Sequence, residues 1–193
     1  MHRRSVRESG NRAPARIAAR AVTLHEELTN LGVMPEAATA LQSAAARRAG
    51  MLIICGPAGV GKTTVAELVE RYTGMRRLGD LRTQEEIVEV LRLAEGEAVV
   101  GVVRSGESFG LSSRWRDMDI PNELVERASV MTVTLRRLPK APAFNATKDL
   151  LLAEVLGTDH APLAGSLAEQ AKTLVSAGLV TDEAARFHVP GYE

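Results

Sequence analysis

The stretch "GPAGVGKTT" at positions 56–64 restricts what this chain can fold into more than any other part of it. Gly56, Pro57, Ala58, Gly59, Val60, Gly61, Lys62 and Thr63 satisfy the pattern G-x-x-x-x-G-K-[ST] in full, and Thr64 follows. The pattern has a physical logic. Glycines let the main chain curl with its N–H groups turned inward, so that anionic oxygens meet several donors and the positive end of the next helix. Lys62 would reach the terminal phosphates of a nucleotide, Thr63 would offer its hydroxyl to Mg²⁺, and Thr64 would donate to an inner phosphate. The lysine stem is expected at a loop rim rather than in a core. Such a loop needs a strand before it and a helix after it.

Both flanks comply. "MLIIC" is short and wholly apolar, the pattern of a central parallel strand, and a helix is predicted over 63–72. Upstream, helices are predicted over 16–30 and from Pro35 to the glycine at 50. Downstream, "MRRL" reads as a strand too basic to be central, 83–94 as a helix with Ile87, Val90 and Leu91 on one face, and "AVVGVV" as a buried strand. Pro121 opens a short helix, and "SVMTVTL" is β-branched enough for a further strand. After "LPKAPAF", a linker by its prolines, helical patterns run over 147–156 and 166–177. Alternating strands and helices mean an α/β sheet. The expected organisation is a basic flexible arm over 1–15, a core with two leading helices over 16–138, and a linker with a small helical tail over 139–193.

Composition narrows the function classes. Lys plus Arg and Asp plus Glu balance at 24 each, so only a local patch could favour a polyanion. The arm "MHRRSVRESGNRAPA" is such a patch; it reads as a disordered terminus, with nucleic acid or an acidic lipid surface as its other reading. No run reaches the roughly 18 apolar residues of a membrane-spanning helix, and the arginine-rich start lacks the apolar block of a secretory signal, which together read as a cytoplasmic protein. Cys55 is the single cysteine, and His2, His25, His160 and His188 show no metal-ligand spacing.

Around the loop the chain resembles the motor ATPases of type II secretion and type IV pilus systems. The approach "LGVMPEAATALQSAAARRAGMLIICGPAGVGKTT", the stretch "GDLRTQEEIVEVLRLAEGEAVVGVV" and the closing "GSLAEQAKTLVSAGLVTDEAARF" carry the likeness, over about residues 31–187. The resemblance implies a RecA-like P-loop NTPase core with a reduced, parallel-rich sheet. It implies Asp80 as the Walker B acid holding Mg²⁺, and Arg82 beside it, with Lys62, in the catalytic set. It also implies ATP and Mg²⁺ as cofactors, and self-association or a larger secretion- or conjugation-type ATPase as partner.

The departures bear on activity. The family separates the loop from its Walker B acid by a longer stretch with a strand and a catalytic glutamate, whereas here Glu67 and Glu70 are the only acids between Thr63 and Asp80, and both read as a solvated helix face. Where the family has a histidine, this chain has Arg104 and Ser105. The family's N-terminal domain, which donates arginines to a neighbour's nucleotide, is replaced by two helices and the arm. ATP binding with weak hydrolysis, completed in a ring or by a partner motor, is therefore the expected function. The alternatives are a non-enzymatic regulator of a related ATPase and a small-substrate kinase, for which 112–119, with Trp115, is the lid segment.

Overall fold

The computed structural model describes residues 22–103, 108–142 and 149–193, without the side chains of 80, 108–110 and 112. The basic arm, the start of the helix expected over 16–30, Arg104 and Ser105, and part of the linker lie outside the described residues.

Two short helices, α1 (Leu24–Asn30) and α2 (Pro35–Ala45), lead into β1 (Gly50–Cys55). Proline at the first position starts α2, where its missing N–H has no intrahelical acceptor to lose. β1 is buried along its whole length, as an apolar run without alternation must be when helices cover both faces. The loop then enters α3 (Lys62–Thr73), followed by β2 (Arg76–Asp80), α4 (Gln84–Ala94) and β3 (Ala98–Val103). The second half holds α5 (Ser108–Asp117), α6 (Asn122–Arg127), β4 (Met131–Leu138), β5 (Leu150–Leu156), β6 (Pro162–Ala164), α7 (Leu167–Ser176) and α8 (Asp182–His188).

The strands form one sheet in the order β2-β3-β1-β4-β5-β6. β1 pairs in parallel with β3 and β4, β2 runs parallel to β3, and β5 and β6 are added antiparallel. Arg76 and Arg77 thus sit on an edge strand, in keeping with their charge. The expectation of a helix over 147–156 is corrected: β5 occupies Leu150–Leu156 and extends the sheet beyond β4. Its run "LLLAEVL" lacks alternation because both faces are covered, with Leu151, Ala153 and Val155 in one core and Leu152 in another. The helical part of the tail is α7 and α8.

Three apolar clusters fill the layers. α1, α2 and α3 pack Leu28, Leu41 and Val65 against Leu52, Ile54 and Val133 on one face. On the other, α4, α5 and α6 bring Leu91, Trp115 and Leu124 to Met51, Ile53 and Val99. α7 and α8 cover Leu138 and Leu152. The stretch weighed as a lid lies in α5 and the turn after it, and Trp115, only 4% exposed, is a core residue. Among the described residues no helix is long and apolar enough to cross a membrane.

Candidate functional site

The loop 56–61 crosses the carboxyl end of β1, the place where open parallel sheets bind ligands. Its shape depends on glycine. Gly56, Gly59 and Gly61 have φ of 146°, 75° and 108°. A methyl group on Gly56 would lie 2.7 Å from the Leu135 carbonyl oxygen of β4 and 3.0 Å from Val60 Cγ1, so the loop rests directly on the neighbouring strand. Gly61 caps α3 in the left-handed region and aims the first turn of the helix, whose N–H groups have no intrahelical acceptors, at the space above the loop.

Lys62 departs from expectation. It is 8% exposed rather than on a rim, and its Nζ donates to the carbonyl oxygens of Gly56 at 2.8 Å and Pro57 at 2.7 Å. The ammonium therefore folds back and braces the loop, placing a compact charge beneath it. Thr63 and Thr64 are exposed on the first turn of α3.

Two clefts flank the loop and share Ala58 and Gly59. The first, about 610 Å³, is lined by Gly61, Lys62, Thr63, Arg77, Gly79 and Val102, on the β3 and β2 side. Thr63 is the one predicted Mg²⁺ ligand among its described lining residues. A single hydroxyl suits that ion, which draws most of its oxygens from phosphates and water. Asp80 ends β2, two strands from β1 and next to the lining residue Gly79; its side chain is not described. Arg82 is not part of the lining. It lies beyond β2, where its N–H donates to Glu86 Oε2 at 2.8 Å as α4 begins. Arg77 is the guanidinium that reaches the cleft, and sequence reasoning missed it. It pairs with Glu70 at 3.0 Å and Glu67 at 3.7 Å, so those two acids hold an arginine rather than facing only water. Among the described residues no three or more His, Cys, Asp or Glu gather into a metal cage.

The second cleft, about 690 Å³, opens on the β4 side between the loop, Arg137 and the end of α8. Arg137 donates from Nη2 to the Val60 carbonyl oxygen at 3.3 Å, which ties β4 to the loop. Arg136 is buried and donates to the Leu135 carbonyl oxygen at 3.1 Å. Cys55, at the end of β1, is no nucleophile: burial pushes its thiol up to about 12, against the smaller opposing pull of Lys62 and Arg136.

The sequence matches no protein-family model and no curated protein. Solved structures do match in shape. The chain is similar to the Legionella pneumophila ATPase DotB, with a TM-score of 0.66 at 12% identity over 83% of this chain and 64% of that one. It is also similar to the Yersinia pseudotuberculosis ATPase DotB, with a TM-score of 0.63 at 14% identity over 83% of this chain and 61% of that one. The chain thus spans less than two thirds of the length of either structure. The fold is α/β, with a mixed, partly parallel sheet flanked by helices, in agreement with a reduced RecA-like P-loop NTPase core.

Proposed function

We propose that this chain is a nucleotide-binding subunit of the secretion- and pilus-motor type, which holds ATP with Mg²⁺ at residues 56–64, turns it over slowly alone, and works in a ring or beside a larger motor. The observation that carries the reading is the loop itself: three glycines at positive φ above the carboxyl end of β1, over a buried lysine and the first turn of α3. The two structures of similar shape are named as ATPases, which supports the same class of ligand here.

In this reading the terminal phosphates lie in the cleft of Lys62, Thr63 and Arg77. Phosphate oxygens take over donors that Lys62 now gives to Gly56 and Pro57, so the ammonium serves as loop brace and ligand contact in turn. Mg²⁺, when bound, neutralises charge on the phosphates, held by Thr63 and, at the end of β2, by Asp80. Binding needs only these preformed groups. Hydrolysis also needs an oriented water, and the acids nearest the loop in sequence, Glu67 and Glu70, are committed to Arg77. The missing acid or arginine is assigned to a neighbouring subunit or partner.

The test is calorimetry with ATP and Mg²⁺ on the parent and Lys62→Ala, with steady-state phosphate release on the parent and Asp80→Ala. Expected are binding by the parent, loss of most affinity in Lys62→Ala, and parent turnover below about 1 per second. Because Lys62 is buried and braces two carbonyl groups, the variant also loses about 1–2 kcal/mol of stability. Equal affinity in the two proteins, or fast release by the parent alone, contradicts the proposal.

A further inference from the structure

The second cleft is left over once the phosphates are placed, and its chemistry differs from the first. Its mouth carries Phe187, which is 84% exposed although α8 itself is firmly seated. Ala185 and Val189 are buried on either side of it. Asp182 accepts from Arg186 Nε at 2.7 Å and from the Tyr192 hydroxyl at 2.9 Å, closing the chain end back on the start of the helix. A ring that is 84% exposed buries too little surface to contribute much to the core. Phe187 meets His188 edge to face, centroids 4.9 Å apart at 79°, so the two rings stand nearly perpendicular and the exposed Phe187 ring has a face open to solvent.

We propose that this cleft seats the nucleoside half of the bound triphosphate, with Phe187 as the ring on which the base stacks, His188 edge-on beside it and Arg137 at the phosphate-side rim. The inference rests on the nucleotide reading above. Continuity selects the occupant: Ala58 and Gly59 line both clefts, so a ligand whose terminal phosphates reach Lys62 extends across the loop into the space beside α8. The volume suits a base with its sugar. The other described aromatic rings are placed elsewhere. Trp115 is in the core, Tyr72 donates to Glu27 beside α1, and the Tyr192 hydroxyl is held by Asp182. Arg137, fixed on Val60, brings a positive charge to the loop on the side of this second cleft.

The experiment compares two probes, ATP with Mg²⁺ and inorganic tripolyphosphate with Mg²⁺, by calorimetry on the full chain, Phe187→Ala and Phe187→Tyr. Truncating so exposed a ring leaves folding intact. The parent is expected to bind ATP more tightly than tripolyphosphate. Phe187→Ala should weaken ATP about tenfold, the scale of one base–aromatic stack, without moving tripolyphosphate, and Phe187→Tyr should restore ATP affinity. Unchanged ATP affinity in Phe187→Ala overturns the inference, as does equal loss of both probes. Unchanged affinity with a fall in assembled mass assigns the ring to a protein contact instead. A parent that binds tripolyphosphate as tightly as ATP overturns the platform and leaves the loop reading standing. A parent that binds neither overturns both.

Discussion

Gly56 has no room for a side chain, and the reason lies on a strand 79 residues further along the sequence, where Leu135 turns its carbonyl oxygen to the loop. Alanine there would place Cβ 2.7 Å from that oxygen at a φ of 146°, so either the loop lifts or β4 recedes. Gly56→Ala should therefore lower stability by about 1–3 kcal/mol, read from the urea midpoint, and abolish nucleotide binding in calorimetry. Wild-type affinity in this variant would mean that the loop tolerates another shape. Lys62 teaches a related lesson. Its identity was legible in the motif, but its burial was not, because the acceptors that hold it are the carbonyl groups of its own loop, and those point inward only once the glycines have set the turn.

At the scale of elements, three helices begin with a reciprocal cap: Thr23 with Glu26, Thr83 with Glu86, and Ser166 with Glu169. Hydrogen bonds from Arg82 and Thr83 hold Glu86 below the usual carboxylate range, and those from Ser166 do the same for Glu169. Asp182 is lowered by Arg186 and then Tyr192. A carboxylate whose pKa is depressed in the folded state stabilises above its ordinary value and loses that contribution as pH falls through the depressed one. Glu154 works in the opposite sense, since burial raises it and its contribution fades as pH rises through the raised value. Among the described residues these three depressed groups outnumber it, so the urea midpoint should be lower at about pH 3 than at pH 7, and Asp182→Asn should shrink the difference. An unchanged difference would remove Asp182 from the acid response. α4 was readable in its extent and in its stripe of Ile87, Val90 and Leu91, although the cap that starts it, Thr83, was read as part of the helix. β5 was not, because Leu, Ala and Glu are good helix formers and a strand covered on both faces shows no alternation. Arg77 and Phe187 belong to a third kind: their meaning comes only from what the fold sets beside them, the cleft of Lys62 and Thr63 for one and a cavity beyond the loop for the other.

For the whole molecule, the proposed association with copies of itself or with a larger motor must use some surface, and the sheet offers little for it. Along β5 the outward main chain is already taken by three different neighbours. Leu151 donates to Gly32 beside the Val33 bridge, Ala153 exchanges hydrogen bonds with the Gln170 amide, and Val155 pairs with Ala164 of β6. β6 is three residues long and opens on a proline, which has no N–H to give. At the opposite edge β2 is short, carries Arg76 and Arg77, and changes register between Arg77 and Asp80. Assembly promoted by ATP and Mg²⁺ should therefore raise the mass in sedimentation while leaving the amide I infrared band and the hydrogen exchange of β5 unchanged. New β signal on assembly would show that subunits join by extending the sheet. The same sealed edge bears on the crowded conditions of synthesis: a half-folded copy meets no free row of N–H and C=O groups on β5 to copy, so that side of the sheet gives amyloid-like growth no template.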